Sequence, residues 1–299
     1  MGDSTPRLGI VTVTYNGASV LEDFFKSIRS QTYTHFKLYA IDNNSADASV
    51  EALEREREAR CIIVKNPANL GVAEANNQGI RMALNDGCSH VLLLNNDTVF
   101  PPQLFEQLMA AGAAGHALVT PKIYFHDEPK TLWFAGGRFM PLKGHAIEHL
   151  GFGDIDRGQF DVPRNMDYAP TCCLLIAASV FERVGFMDAR YFVYFDDADF
   201  CLRCMRAGIP VWYAPEMILY HKAGTSTGGA VSPFGARMGV RNKIFFLRKN
   251  FGRVRFTVFS SLYFVYLLLR WIAGRDSWPH LRLKIRAFAE GLRLGNAVS

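Results

Sequence analysis

The chain has 299 residues, 49% of them hydrophobic and 20% charged, with a formal net charge of +5. That is enough apolar side chain for one large α/β domain with an appendage, and it excludes a disordered or low-complexity chain. The charge is uneven: Arg237 to Ser299 carries 13 Lys/Arg against 2 acids, a net of +11, which leaves 5 − 11 = −6 for residues 1–236.

The opening "MGDSTPRLGIVTVTYN" runs from a short polar lead straight into a β-like stretch, without a charged-then-apolar leader, so the body is expected to stay in the cytoplasm. Six cysteines (Cys61, Cys88, Cys172, Cys173, Cys201, Cys204) then read as reduced thiols. The CxxC of "CLRC" has no second pair to complete a zinc site, and these cysteines are read as small buried hydrophobes.

In chain order, "LGIVTVTY" is a β-branched strand, and "SVLEDFFKSIRSQ" sets Val20, Leu21, Phe24, Phe25 and Ile28 on one helical face. "FKLYAI" is a second strand and "DASVEALERERE" a second helix; "CIIVKN", a helix across "GVAEANNQGIRMALNDG" and "HVLLLNND" follow. Strand alternating with helix predicts βαβ units and a mainly parallel sheet flanked by helices. Ligands of such sheets bind at the carboxyl ends of the strands. Those ends read Thr14-Tyr15-Asn16, Asp42-Asn43-Asn44, Asn66 to Gly71, and Asn95-Asn96-Asp97. Asn and Asp are common turn residues, but four such ends in succession predict a site. "TYNGAS" lacks G-x-G-x-x-G and no P-loop occurs, which argues against a Rossmann dinucleotide enzyme and a P-loop NTPase.

From Gly136 to Asn165 weak periodicity predicts an irregular excursion over the site. "YAPTCCLLIAASVFERVG" reads as a strand running into a helix, "FCLRCMRAG" as a helix closed by Gly208, and "IPVWYAPEMILYH" as two short strands ending at His221. A domain boundary is expected near residue 235, separating a catalytic domain (1–235) from a basic amphipathic helical tail (236–299).

The stretches "VTYN", "IDNNSAD", "NLGVAEANNQGI", "LLLNNDTVFP", "VGFMDARYFVYFDDADFCLR" and "YAPEMILYH", in this order, resemble the inverting nucleotide-sugar glycosyltransferases of family 2, with the GT-A fold. The likeness covers about residues 8 to 226 and is greatest to the bacterial rhamnosyltransferase branch. It implies that Asp42 grips the pyrimidine base of the donor, with Thr14 and Asn69 lining the same pocket; an Asx turn at Asp42 is compatible with that role. Tyr15, Asn16, Gly71, Asn95 and Asn96 fall among the matched strand ends and are expected to line the nucleotide and donor site.

Asp97 corresponds to the last acid of the D-x-D motif, a hard oxygen ligand suited to Mg²⁺ or Mn²⁺ between two phosphates. The first acid of that motif is Asn95 here, which adds no charge for the metal. The resemblance makes His221 the second contact to metal or diphosphate. "DDAD" stands where the family has E-D-x-D, which implies Asp197 as general base and Asp196 as its acidic neighbour near the acceptor. Asp199 and Arg203 are spaced i, i+4 and read as an intrahelical ion pair. Trp133 lies where relatives bind donor sugar or acceptor.

The activity expected is transfer of a sugar, L-rhamnose from dTDP-L-rhamnose, to a lipid-linked bacterial surface glycan. A UDP-hexose donor and a non-catalytic glycan-binding module are the alternatives. In the tail, Phe256 to Leu269 carry no charge and are flanked by Lys/Arg mixed with Phe, Leu and Ile, a pattern suited to an anionic membrane surface. The expected location is therefore peripheral, on the inner face of the cell membrane. A homodimer contact is the second reading of the tail, and the acidic body argues against nucleic acid.

Overall fold

The computed structural model describes residues 7–56, 60–223 and 232–295. The polar lead at 1–6, the end of the second predicted helix at 57 and 58, and the last tail residues 296–299 lie outside the described residues.

The first half follows the βα alternation of the sequence: β1 (Leu8–Thr14), α1 (Ala18–Arg29), β2 (Phe36–Asp42), α2 (Ser49–Arg55), β3 (Cys61–Lys65), α3 (Val72–Asn85) and β4 (His90–Leu94). Next come β5 (Thr98–Val99), α4 (Leu104–Ala113), β6 (Leu118–Phe125), β7 (Leu132–Phe134), β8 (Gly137–Met140), β9 (Ala146–His149) and β10 (Arg164–Met166). The chain closes with β11 (Cys173–Ala177), α5 (Ala178–Val184), α6 (Asp196–Arg206), β12 (Val211–His221), α7 (Pro233–Asn250), α8 (Arg253–Ile272) and α9 (Trp278–Arg293).

One sheet organises the molecule, in the order β10-β12-β6-β11-β4-β1-β2-β3. Strands β1 to β4 are mutually parallel, and β1, β2 and β4 read as continuous buried apolar runs because helices cover them. The other half is mixed, since β11 runs antiparallel between β4 and β6. Helix α3 lies against β1 and β2, approaching so closely that a Cβ on Gly79 would sit 2.4 Å from Val11 Cγ1.

Two expectations need correction. "IPVWYAPEMILYH" is one long strand, β12, with its register shifted between Ala214 and Ile218. Pro215 sits in that irregularity, where a residue without an N–H interrupts the ladder without ending the strand. The excursion after Gly136 is less irregular than its composition suggests: β8 and β9 form a hairpin, and Gly137 in addition bridges to Tyr168.

The C-terminal helices are not equivalent. Helix α7 adds Phe245 and Phe246 to the main core, whereas α7, α8 and α9 close a small cluster of their own around Val240, Leu267, Leu281 and Ala287.

Candidate functional site

The parallel register places Thr14 beside Asp42 at the carboxyl ends of β1 and β2. Thr14 is fully buried, and its Oγ1 accepts a hydrogen bond from Asn96 Nδ2 at 3.1 Å, joining the ends of β1 and β4. The Asp42 carboxylate is buried too: Oδ2 accepts the Ser45 amide at 3.1 Å, the expected Asx-type turn, while Oδ1 has no hydrogen-bond partner. A buried acceptor left unmatched costs about 1–3 kcal/mol, so this atom is poised for a ligand donor. Asn16, with φ of 51°, laces the first turn to the second: its amide donates to Ser45 Oγ and its Oδ1 accepts from the Ala46 amide. Tyr15 stands exposed beside it at the rim.

Asn43, named in the sequence only as part of the second strand end, is a hub. Its Nδ2 donates to Asn69 Oδ1 and to the Gly71 carbonyl, both at 3.1 Å, and its Oδ1 accepts from Asn66 Nδ2 and the Leu70 amide. The loop from Asn66 to Gly71 is thereby clamped to the end of β2. Asn69 also accepts the Gly71 amide at 2.9 Å, so its side-chain oxygen is engaged within the loop. Gly71 has φ of 83°, and a Cβ there would lie 2.5 Å from the Phe192 carbonyl, which restricts the position to glycine.

At the end of β4, Asn95 donates its amide to the Cys172 carbonyl and Asp97 turns inward. Short strand β5 pairs with the end of β12, setting Thr98 opposite His221. Asp97 Oδ1 and His221 Nε2 are 3.2 Å apart, both residues buried, and His221 Nδ1 has no hydrogen-bond partner. Trp133, half-buried on β7, meets the His221 ring edge-to-face with centroids 4.5 Å apart. Its other neighbour is His149 of β9 at 5.2 Å. Burial pushes the His149 imidazole down to about 4, so it is neutral at physiological pH.

The His149 ring lies 5.6 Å from that of Tyr168, and Tyr168 Oη donates to Asp197 Oδ2 at 2.6 Å. Polar and ring contacts thus run from Asp97 through His221, Trp133, His149 and Tyr168 to Asp197. Asp196 and Asp197 open α6. Burial pushes both carboxyls above the ordinary range; the adjacent Asp197 charge raises Asp196 further, while the Tyr168 hydroxyl holds Asp197 down. Asp196 Oδ2 is buried without a hydrogen-bond partner. The two environments differ in what they favour: burial and the neighbouring charge favour the protonated acid at Asp196, and the Tyr168 hydrogen bond favours the carboxylate at Asp197.

The turn before these acids is strained: Phe192, Tyr194 and Phe195 all have φ near +67° (66°, 66° and 68°), a region that costs bulky residues roughly 1–3 kcal/mol each. Buried Asn242 of α7 holds it there, its Nδ2 donating to the carbonyls of Tyr191, Val193 and Tyr194 at 2.7–2.9 Å. Asp199 is fully buried. It pairs with Arg203 as expected, and also with Lys249 and Asn250 of α7 and Tyr191.

Among the expected residues, then, the fold gathers Thr14, Asp42 and Asn96 at one end of the site and Asp97, His221 and Trp133 at the other. Tyr168, His149 and Asn242 escaped the sequence reading, because each is single, far in sequence from its partners and without a spacing motif; Asn43 was read as part of a strand end but given no role.

Comparison with known proteins gives the same outline. The dTDP-rhamnosyl transferase RfbF of Shigella flexneri is 23% identical over 236 residues, covering 75% of this chain and 76% of that one. The N-acetylglucosaminyl-diphospho-decaprenol L-rhamnosyltransferase of Mycobacterium tuberculosis is 28% identical over 243 residues, covering 75% and 78%. The mannosyltransferase PcManGT from Pyrobaculum calidifontis, solved with GDP-Man and Mn2+, superposes with a TM-score of 0.57 at 14% identity, over 97% of this chain and 76% of that one. Residues 9–185 match the model of the family described as Glycosyl transferase family 2. With more than half its length inside that match and a GT-A sheet beneath the site, the chain belongs to glycosyl transferase family 2, the nucleotide-sugar-dependent glycosyltransferases.

Proposed function

We propose that the protein transfers L-rhamnose, with inversion, from dTDP-L-rhamnose to a hydroxyl of a lipid-linked bacterial surface glycan, working at the cytoplasmic face of the membrane. The observation that carries the reading is the paired arrangement at α6: Asp197, whose Oδ2 accepts from the Tyr168 hydroxyl and Oδ1 from the Ala198 amide, next to buried Asp196, where burial favours the protonated acid. Inverting transfer needs one carboxylate to take the acceptor hydroxyl proton as that oxygen attacks the anomeric carbon opposite the leaving diphosphate. Asp197 fills that role. Asp196, with a buried oxygen that has no hydrogen-bond partner and a proton to give, is suited to hydrogen-bond an acceptor or sugar hydroxyl, and Trp133, beside His221, is suited to the donor sugar or the acceptor.

Asp42 Oδ1 is the acceptor for the base N–H of the nucleotide, with Thr14, Tyr15, Asn16, Asn69 and Gly71 around it and Asn95 and Asn96 toward the ribose and phosphates. Asp97 and His221 fit a divalent cation, Mg²⁺ or Mn²⁺: a carboxylate oxygen and a ring nitrogen converged to 3.2 Å. Among the described residues no three His, Cys, Asp or Glu side chains form a cage, so the remaining ligands would be diphosphate oxygens and water, the usual manner of Mg²⁺ at phosphates. When bound, the cation would neutralise charge on the departing diphosphate. The names of the Shigella and Mycobacterium relatives favour the rhamnosyl donor and, for the latter, a diphospho-decaprenol acceptor.

A thermal-shift screen of the full chain against dTDP-L-rhamnose and UDP-hexoses with Mn²⁺, followed by product analysis, tests the assignment. Stabilisation and turnover with dTDP-L-rhamnose are expected. Turnover only with a UDP-hexose would move the donor to the alternative, and binding without any transfer would make the protein a binding module.

A further inference from the structure

Helix α8 is 20 residues long, is long and apolar enough to cross a membrane, and buries only Ser260 and Leu267. Its exposed side chains are ordered: Val254, Val258, Leu262, Val265, Leu269 and Ile272 are 49–79% exposed and follow one another at intervals of four, four, three, four and three residues. That spacing is one face of a helix, so they form a single apolar stripe ~27 Å long. Soluble surfaces seldom carry so long a continuous apolar face without a partner.

The inward face of the same helix is engaged. Ser260 and Leu267 are buried, Tyr263 and Leu268 pack into the cluster with α7 and α9, and Phe264 meets Phe288 edge-on. A helix packed through its middle, from Ser260 to Leu268, on two charged neighbours would have to leave them to cross a bilayer, so the stripe suits a helix lying in the interface plane.

We infer that the outer face of α8 is the surface by which the protein lies on an anionic bilayer. Three observations choose this occupant. The stripe has no charge along its middle and cations at both ends, exposed Arg253 and Arg255 on either side of Val254 and Arg275 after Ile272. At its C-terminal end Trp271 and Trp278, both exposed, lie 5.6 Å apart, an aromatic pair of the kind that settles at headgroup depth. A second copy fits less well: antiparallel pairing would bring Arg253 and Arg255 against Arg275, parallel pairing would set each arginine on its counterpart, and α8 holds no acid to offset either.

The surface reaches the site. The tip of the β8–β9 hairpin rests on α8, where a Cβ on Gly144 would lie 3.3 Å from Phe259, and next to it Leu142 is 96% exposed. The same hairpin carries His149, and α7 holds the turn before Asp197. Docking therefore sets the acceptor side of the site at the bilayer; this use of the surface rests on the lipid-linked acceptor proposed above, whereas the surface itself does not.

The test is flotation of the full chain with phosphatidylcholine vesicles, with and without phosphatidylglycerol, comparing wild type with the double variant V258E/L262E and the milder L262N. Transfer to a short soluble acceptor is measured alongside, and donor-induced thermal shift reports folding. Expected are binding that strengthens with phosphatidylglycerol and weakens with salt, a loss on the order of 10²-fold in the double variant and a smaller loss in L262N, with donor shift and soluble-acceptor transfer unchanged. Wild type that ignores vesicles at low salt, or variants that bind them equally, overturns the surface even if rhamnosyl transfer is intact. A dimer dispersed by the same variants, without vesicle binding, assigns the stripe to a second copy and equally overturns it. Vesicle binding in a protein that transfers no rhamnose upholds the surface and sinks the reaction reading alone.

Discussion

The phenol of Tyr168 donates to Asp197 Oδ2 at 2.6 Å, across 29 residues of sequence, while Asp197 Oδ1 accepts the Ala198 amide at 2.7 Å. Both oxygens of the proposed base are thereby oriented in the free protein, and the phenol, pushed well above its usual pKa by burial, remains a donor throughout the working pH range. That hydrogen bond stabilises the carboxylate form. Tyr168→Phe should therefore raise the Asp197 pKa and move the acid limb of kcat/KM to higher pH, with donor affinity little changed. A pH–rate profile checks the direction; an unmoved limb would separate Tyr168 from the base.

Asp197→Asn keeps the shape of the side chain and removes its basicity. Sugar transfer should fall by at least ~10²-fold while donor affinity stays near wild type. Steady-state kinetics with a separate donor-binding titration reads both. Unchanged turnover would shift the role to Asp196.

Asp97→Ala removes the acid from the pair with His221. Metal-dependent nucleotide binding and most turnover should disappear, and wild type should lose activity in EDTA and regain it with Mn²⁺. Full turnover of the variant in EDTA would exclude the proposed metal role.

Asp196 gives a stability signature with a definite sign. Its folded-state pKa is raised, first by burial and then by the Asp197 charge. The protonated carboxyl is thus favoured by folding: its contribution is complete below the unfolded value of about 4 and is lost as pH rises through the folded value. Asp196→Asn, which cannot ionise, should gain Tm relative to wild type on going from about pH 5 to about pH 9. Thermal melts across that range decide it; a difference independent of pH would mean that the carboxyl is ionised at both ends.

Asn242→Ala withdraws the donor that holds three carbonyls of the strained turn. A loss of about 1–3 kcal/mol is expected from buried acceptors left unpaired. The turn should relax toward ordinary φ values and displace Asp197, so kcat should fall more than donor affinity. Equal loss of both would make Asn242 a general stability residue.

Much of this molecule was legible locally. The βα alternation of the first hundred residues is a matter of hydrophobic period, which one strand or helix expresses without its neighbours, and Thr14, Asp42 and Asp97 follow because parallel strands expose their carboxyl ends together. The i, i+4 pair of Asp199 and Arg203 was legible for the same reason. What lay beyond reach depends on contacts between distant segments. Nothing in "DYAPT" marks Tyr168 as the partner of Asp197, because the hydrogen bond exists only once β11 and α6 bring the two together. The single strand through Pro215 needed the ladder on β6 to span the irregularity, and the hairpin after Gly136 needed the Gly137–Tyr168 bridge to anchor it. In the tail, composition by itself determined that a 14-residue uncharged run sits among cations. Which side of that helix is covered and which stands bare was decided by tertiary packing, since burial belongs to a pair of surfaces and not to one segment.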